Sequence, residues 1–215
     1  MNRVVRSRTG RFTASFVAVI AVVGGVAYGA QVATKSESAT LPADGTTHTV
    51  TAKCPNGANA TAGGIRLSDD VDDYVQGTYP TGQGKWTAAG FRYPLQPDAE
   101  FTAFARCMTG AKTSTEDKTK PLADSETIVK AKCPKGTVVS GGGAQLADDA
   151  GDYASGSFPS GQREWTAVGH GSSDLTAQAR CLKGEDVTQK SKHTDLLGDA
   201  QTHEVTAKCP NDPCM

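Results

Sequence analysis

Clustered aspartates are the residues of this sequence best suited to chemistry. Two groups, each within five positions, recur along the chain: Asp69, Asp70 and Asp73, then Asp148, Asp149 and Asp152. Carboxylate oxygens at this density are ligands that Ca²⁺ prefers, so the sequence predicts a calcium site as one hypothesis and no other cofactor. The spacing is not that of an EF-hand, and aspartate is common in surface turns. The alternative is therefore a solvated turn between two strands.

Two tryptophans are the second candidate for a site. Trp86 and Trp165 each precede Thr-Ala within a predicted strand. An indole exposed on a sheet can stack on a sugar ring, and two such units would form a bivalent carbohydrate binder. The alternative is core packing, because each unit has few other large apolar side chains.

The polar groups that could catalyse a reaction are scattered along the chain. Four histidines are dispersed, and His170 lacks the strand-to-helix turn that exposes a serine nucleophile. Adjacent carboxylates in one turn do not flank a glycosidic bond from two sides, so a glycoside hydrolase is the less favoured reading. Arg106 and Arg180, on the outward parity of their strands, are predicted to form surface ion pairs. The sequence therefore predicts a protein that is not an enzyme.

An internal repeat organises the chain. The residues that align are Cys54 with Cys133, Asp73 with Asp152, Tyr74 with Tyr153 and Trp86 with Trp165 at an offset of 79 positions, and Cys107 with Cys181 at an offset of 74. A third copy repeats Thr-Ala-Lys-Cys-Pro-Asn before Cys214-Met215 and contains only the first strand. Repeats of this kind are supersecondary units in tandem.

The repeat predicts the division of the chain. The segments are a signal peptide or membrane anchor at 1–30, a first β unit at 41–110, a linker at 111–121, a second unit at 122–184, a linker at 185–195, and a truncated third unit at 196–215. The two linkers are assigned because they contain almost no apolar residues. The truncated unit is predicted to add a closing strand to an edge of an earlier unit.

Alternating apolar residues predict β structure within each unit. Val50, Ala52 and Cys54 share one face of the opening strand, and Ala105 and Cys107 share one face of the closing strand. We therefore predict an all-β fold of two disulfide-stapled units, each of about five short antiparallel strands, with an N-terminal apolar helix. If the outer strands of a unit are adjacent, their cysteines lie within bonding distance. This predicts the disulfides Cys54–Cys107 and Cys133–Cys181, and leaves Cys209 to pair with Cys214. The alternative is free or metal-bound thiols.

The N-terminal segment predicts export. Four arginines precede residues 12–34, an uncharged and largely apolar run. If this run is retained, it is also the one expected contact with a membrane. Removing residues 1–30 takes four of the 22 basic residues and leaves 18 against 23 acidic residues, a net charge of −5. This charge disfavours a nucleic-acid partner, which requires clustered lysine and arginine.

The complete copies of the repeat share one sequence pattern. It begins with Lys-Cys-Pro, continues with a Gly-Gly pair and a Pro before a Trp-Thr-Ala strand, and closes with Ala-Arg-Cys. It resembles a cysteine-bracketed β-repeat common in exported proteins of actinobacteria, and it covers residues 48–110 and 126–184 with a remnant at 203–211. The resemblance implies export and a β fold and identifies no catalytic or binding residue. We expect an exported, non-catalytic protein, secreted or at the cell envelope, that displays loops to a glycan or an extracellular protein. The alternative is a purely structural envelope protein or spacer.

Overall fold

Antiparallel β-strands form all the regular secondary structure among the described residues. The computed structural model describes residues 31–68, 73–123, 125–147 and 151–184, together with residues 192, 206 and 207. Within these residues there are 12 strands and no helix: β1 Val32–Leu41, β2 Thr47–Lys53, β3 Ala58–Leu67, β4 Asp73–Pro80, β5 Lys85–Arg92, β6 Ala99–Thr109, β7 Thr113–Pro121, β8 Thr127–Lys132, β9 Thr137–Leu146, β10 Tyr153–Gly161, β11 Glu164–His170 and β12 Asp174–Lys183. The all-β fold class predicted from residue periodicity is confirmed.

The strands are arranged in three sheets. Strands β1–β6 pair as β1-β6-β3 and β2-β5-β4, and strands β7–β12 pair in the same order, as β7-β12-β9 and β8-β11-β10. Pairing between β4 and β9 then joins two of these groups into a six-stranded sheet, β2-β5-β4-β9-β12-β7. Below, the first half means β1–β6 and the second half means β7–β12.

Each half encloses its own small core between two facing sheets. In the first half, Trp86 packs with Leu41, Phe101 and a set of alanines. In the second half, Leu122 and Leu175 lie with alanines and valines, and Trp165 packs against them. Side chains this small fill the space between the sheets because a tryptophan ring packs with them in each half.

Close approach of a tryptophan ring explains one glycine in each half. A Cβ atom on Gly63 would overlap the ring of Trp86, and a Cβ atom on Gly142 would overlap the ring of Trp165. Glycine is required at both positions because the indole lies directly on the backbone of the facing strand.

Two disulfides link the facing sheets. Cys54 bonds to Cys107 and Cys133 to Cys181, with Cα–Cα distances of 5.5 and 5.6 Å. Both predicted pairs are confirmed, but the expectation that their cysteines lie on adjacent strands is wrong. Cys54 follows β2, whereas Cys107 lies on β6 of the opposite sheet, so the bond crosses the core instead of joining adjacent strands. The predicted pair Cys209–Cys214 lies outside the described residues.

Two strands occupy regions where the sequence predicts none. Residues 111–121, predicted as a solvated linker, contain β7, which pairs with β12 along its full length. Strand β1 occupies the same place beside β6, so each half has six strands and begins before residues 41 and 122. Residues 32–34 of the uncharged run 12–34 also belong to β1. Most side chains of β7 are exposed, so its position depends mainly on backbone pairing with β12. Side-chain hydrogen bonds at Thr115 and Thr119 add to this pairing.

The remaining boundary predictions fall outside the described residues. These are the signal peptide or anchor at 1–30, the linker at 185–195 and the truncated unit at 196–215, of which only residues 192, 206 and 207 are described. Among the residues that the structure describes, no helix is long and apolar enough to cross a membrane.

The two halves contact each other through both backbone and side chains. Gly77 pairs with Gln145 and Thr78 with Ala144 across the β4–β9 edge. Ser140 Oγ donates a hydrogen bond of 2.9 Å to the Thr61 carbonyl oxygen. A separate cluster of Met108, Ala111 and Leu182 also lies between the halves. The first half therefore covers a surface of the second half that would otherwise be exposed.

Candidate ligand-binding site

The two tryptophans predicted to stack on a ligand pack with the cores of their halves. Trp86 is fully buried, and its Nε1 donates a hydrogen bond of 2.8 Å to Thr78 Oγ1. Trp165 is partly buried, and its Nε1 donates to Ser157 Oγ at 3.0 Å. The ligand-stacking prediction is wrong for Trp86, because no face of its ring is accessible. Trp165 packs against the core of the second half in the equivalent position.

Asp152 anchors a turn. Its Oδ1 accepts a hydrogen bond of 2.9 Å from the Ser172 amide, and its Oδ2 accepts one of 2.9 Å from the Ser173 amide. Burial alone would raise the pKa of the Asp152 carboxyl, but the hydrogen bonds from Ser173 and Ser172 outweigh it and lower that pKa below its usual value. Both carboxylate oxygens therefore hold the backbone between β11 and β12.

The other predicted calcium ligands are not described in the structure. Asp69, Asp70, Asp148, Asp149 and the side chain of Asp73 lie outside the described residues, so a calcium site there stays a prediction. Among the residues that are described, no group of three or more aspartate, glutamate, histidine or cysteine side chains could hold a metal ion.

A threonine, a histidine and an aspartate meet at the start of β2. Thr46 Oγ1 donates to Asp44 Oδ1 at 2.8 Å, and His48 Nε2 lies 3.0 Å from Asp44 Oδ1 and 3.1 Å from Thr46 Oγ1. Hydrogen bonds with His48 and then with Thr46 lower the pKa of Asp44 to about 2. A proton relay needs the carboxylate and the hydroxyl on different ring nitrogens, and here both contact Nε2. The cluster therefore closes a local turn and has no catalytic arrangement.

Arg180 is buried, contrary to its predicted place in a surface ion pair. Its side chain lies on the face of β12 opposite the core of the second half, and the first half covers it. Nη1 donates to Thr115 Oγ1 at 2.7 Å, and Nη2 donates to the carbonyl oxygens of Gln83, at 3.0 Å, and of Gly82. Burial lowers the pKa of Arg180 to about 10. Arg106, its equivalent in the first half, is only partly buried.

Exposed aromatic rings recur at equivalent positions of the two halves. In the first half, Tyr93 makes edge-to-face contacts with Tyr74 and Phe91, at centroid distances of 5.6 and 5.0 Å. In the second half, Tyr153 stacks on His170 at 5.1 Å. Tyr74, Tyr93 and Tyr153 are 40%, 44% and 46% exposed. We call these two groups the first and second aromatic clusters.

Strand register explains why the clusters face outward. Tyr74 pairs with Phe91 across β4 and β5, and Tyr153 pairs with His170 across β10 and β11. Trp86 occupies the inward parity of β5, so Phe91, five positions later, lies on the opposite face of the strand. Phe91 itself is only 4% exposed, and Tyr93 packs against it. Sequence reasoning missed these rings because it considered only Trp86 and Trp165 as ligand-stacking residues and gave Tyr74 and Tyr153 no role. The signal was present, since Tyr74 aligns with Tyr153 in the repeat.

The clusters combine apolar ring faces with polar edges. A tyrosine presents a flat ring for stacking and a hydroxyl that donates or accepts a hydrogen bond, and His170 adds ring nitrogens beside Tyr153. Such a surface suits a ring-shaped ligand with one apolar face and polar substituents. No protein-family model matches the chain, and no curated protein or solved structure shows significant similarity to it.

Proposed function

We propose that this protein is an exported, non-catalytic binding module, secreted or held at the cell envelope, that recognises a glycan through its two aromatic clusters. The observation that carries the proposal is the recurrence of exposed Tyr74 and Tyr153 at equivalent positions of a repeated sequence. An exposed large aromatic side chain costs solubility, so its occurrence twice at one position favours a binding role. The apolar face of a pyranose ring fits such a tyrosine.

Disulfides and charge support the compartment and the class of ligand. Two disulfides among the described residues suit an oxidising environment, as does the resemblance to exported β-repeats. The net charge of −5 without residues 1–30 disfavours polyanionic ligands such as nucleic acid. Among glycans, this charge favours an uncharged or weakly charged polysaccharide.

Two clusters on one chain make the binding bivalent. Each cluster alone would hold a sugar weakly, because one stacked ring contributes about 1 kcal/mol beyond its buried area. A polymer that contacts both clusters gains from the high effective concentration of the second contact. The proposal therefore requires a repeating polymer and not a free monosaccharide.

The test is a pull-down with insoluble peptidoglycan and a titration with soluble β-glucans and mannans. The variants are Tyr74→Ala, Tyr153→Ala and the double variant, and Ile128→Ala is the matched control because Ile128 is 46% exposed outside both clusters. For the polymer that binds, each single variant should weaken binding about tenfold and the double variant should abolish it. Equal binding by the double variant and the control would exclude the aromatic clusters.

A structural spacer is the second candidate. The observation that favours it is the β4–β9 pairing, which joins the two halves through a continuous six-stranded sheet. A spacer needs this connection and no ligand. It predicts that none of the polymers binds and that the tyrosine substitutions change nothing beyond local stability.

A further inference from the structure

The outer face of the β1-β6-β3 sheet brings an aromatic ring and two arginines together. Phe104 and Arg106 lie on this face of β6, because the residues that alternate with them face the core. On β3 the same face includes Gly64, opposite Phe104, and Arg66, opposite Thr102. Residues two apart on a strand are separated by about 7 Å, and diagonal neighbours on paired strands by about 7 to 8 Å. Phe104, Arg66 and Arg106 therefore surround the position of Gly64.

Gly64 leaves the centre of this group open. A Cβ atom on Gly64 would have no neighbour within 4 Å, so the space above its backbone is unfilled. The second half covers the same face at Ala62, where a Cβ atom on Gly141 would overlap the Ala62 backbone. Ala62 is two positions before Gly64 on β3. The contact between the halves therefore borders the open space and does not fill it.

The two arginines beside this space are available to a ligand. Arg66 is exposed and Arg106 is partly buried. Within the part of the chain that the structure describes, neither guanidinium makes a hydrogen bond or an ion pair. An arginine presents its N–H donors in a planar fork whose geometry matches a carboxylate. A carboxylate above Gly64 is within reach of both side chains.

The second half has the same backbone frame with different side chains. Its equivalents of the ring and of the exposed arginine are Gln178 and Gln145, and the Gln178 Nε2 donates a hydrogen bond of 3.0 Å to the Gln145 Oε1. Gly143, the equivalent of Gly64, lies against the Thr78 carbonyl of the first half. The space that is open in the first half is therefore filled in the second half. The ring and the exposed arginine belong to the open copy.

Hydroxyl groups surround the ring on its other side. Ser36 lies opposite Phe104 on β1 and is exposed. In the next row, Ser38 Oγ and Thr102 Oγ1 are hydrogen-bonded at 2.7 Å. An apolar ring, hydroxyls and guanidinium groups on one face match the apolar ring face, hydroxyls and carboxylate of an acidic sugar. An extended acidic peptide gains most of its affinity for a sheet from backbone pairing at an edge, and this face offers side chains.

We infer that this face binds a pyranose sugar that carries a carboxylate. The sugar ring stacks on Phe104 over Gly64, and its carboxylate accepts hydrogen bonds from the guanidinium groups of Arg66 and Arg106. The net charge of −5 without residues 1–30 disfavours a dense polyanion, so the expected source is an acidic sugar within a weakly charged polysaccharide. The aromatic clusters lie on other strands, so this inference does not rest on the proposed function.

The first experiment is an isothermal titration of the full chain, isolated after export with its disulfides formed, with trigalacturonic acid. The wild type should bind with a dissociation constant of about 1 mM or lower. The fully methyl-esterified trimer keeps the sugar rings and loses the charge, and it should bind at least about tenfold more weakly. An acetylated and amidated triglutamate peptide has three carboxylates without sugar rings and should be weaker by a similar factor. The inference is overturned if the acid does not bind at about 10 mM, or if either comparison ligand binds as well.

The second experiment compares variants of the site. Arg66→Gln should weaken binding of trigalacturonic acid about tenfold, because a charge-assisted hydrogen bond is lost. Lys53→Gln is the matched control, since it removes the same charge from an exposed position on β2 of another sheet. Gly64→Leu should abolish binding, because the new side chain fills the open space, and the melting temperature should stay unchanged. Equal binding by Gly64→Leu and the wild type, or equal losses for Arg66→Gln and Lys53→Gln, would overturn the assignment.

A third measurement separates this site from the aromatic clusters. The double variant Tyr74→Ala/Tyr153→Ala should bind trigalacturonic acid like the wild type. If this variant binds the acid and no neutral polymer binds the wild type, the acidic-sugar site stands and the proposed role of the clusters fails. Loss of acid binding in this variant would assign the ligand to the clusters and overturn the site on the β1-β6-β3 sheet.

Discussion

Replacing Arg180 with methionine tests whether the contact between the halves stabilises the fold. Methionine keeps an apolar stem of similar length but removes the guanidinium and its hydrogen bonds to Thr115, Gly82 and Gln83. Three hydrogen bonds from a cation contribute about 1.5 to 3 kcal/mol each. Burial lowers the pKa of Arg180 to about 10, so burial costs the charged form about 3 kcal/mol, which methionine avoids. We expect a net loss of about 2 to 5 kcal/mol.

The matched control is Arg106→Met. Arg106 has the same place in the repeat but is only partly buried, so its replacement should change stability by less than about 1 kcal/mol. The free energy of unfolding is measured by urea denaturation followed by far-UV circular dichroism. Equal losses for the two variants would refute the role of Arg180 between the halves.

Three further predictions concern the fold of the second half. Asp152→Asn should cost about 1 to 3 kcal/mol in urea denaturation, because an amide cannot accept from both backbone N–H groups. Since the folded pKa of Asp152 is lowered, its contribution is complete above pH 3.8 and is lost as pH falls through the folded pKa. The variant should therefore show a weaker loss of melting temperature at acid pH than the wild type, and an equal loss would contradict the assignment. Gly142→Ala should cost about 3 kcal/mol and shift the fluorescence of Trp165, because the new Cβ overlaps the indole; unchanged stability would mean that the ring is not held there. Replacing Cys133 and Cys181 together with alanine should lower stability by about 4 kcal/mol for a loop of 48 residues, and a loss below about 1 kcal/mol would show that the bond constrains little.

Side-chain periodicity predicts the strands that have one apolar face. Phe101, Ala103, Ala105 and Cys107 alternate along β6, and all are buried as their parity predicts. The repeat adds the cysteine pairing, because equivalent cysteines should form equivalent bonds. These features are local or follow from comparing the sequence with itself.

Periodicity could not predict β7, because a strand with few buried side chains has no apolar pattern. Residues 113–121 are held by backbone hydrogen bonds with β12. The side-chain pattern of β7 gives no sign of this pairing. Arg180 shows a related limit. Its outward parity was predicted correctly, but its burial depends on the first half of the molecule, more than 90 positions away in sequence.

The amino-acid composition explains why the sequence did not predict the aromatic clusters. In a chain with few large side chains, each aromatic residue has a reason to pack in the core, and Trp86 does so, as the alternative to ligand stacking expected. Tyr74 and Tyr153 do not, because their strand register places them on the outward face. Only the pairing of β4 with β5 and of β10 with β11 distinguishes these exposed tyrosines from the buried tryptophan.

The disulfides between facing sheets also determine how each half carries mechanical load. Tension applied along the chain enters the first half at β1 and reaches Cys54, from which the covalent bond transmits it directly to Cys107. The 53 positions between these cysteines, and the 48 between Cys133 and Cys181, then bear no tension. At about 3.5 Å per residue, roughly 350 Å of chain stays unextended even after the sheets separate. A protein tethered at one end would therefore lengthen little under shear, and chemical reduction would convert it into a far more extensible chain.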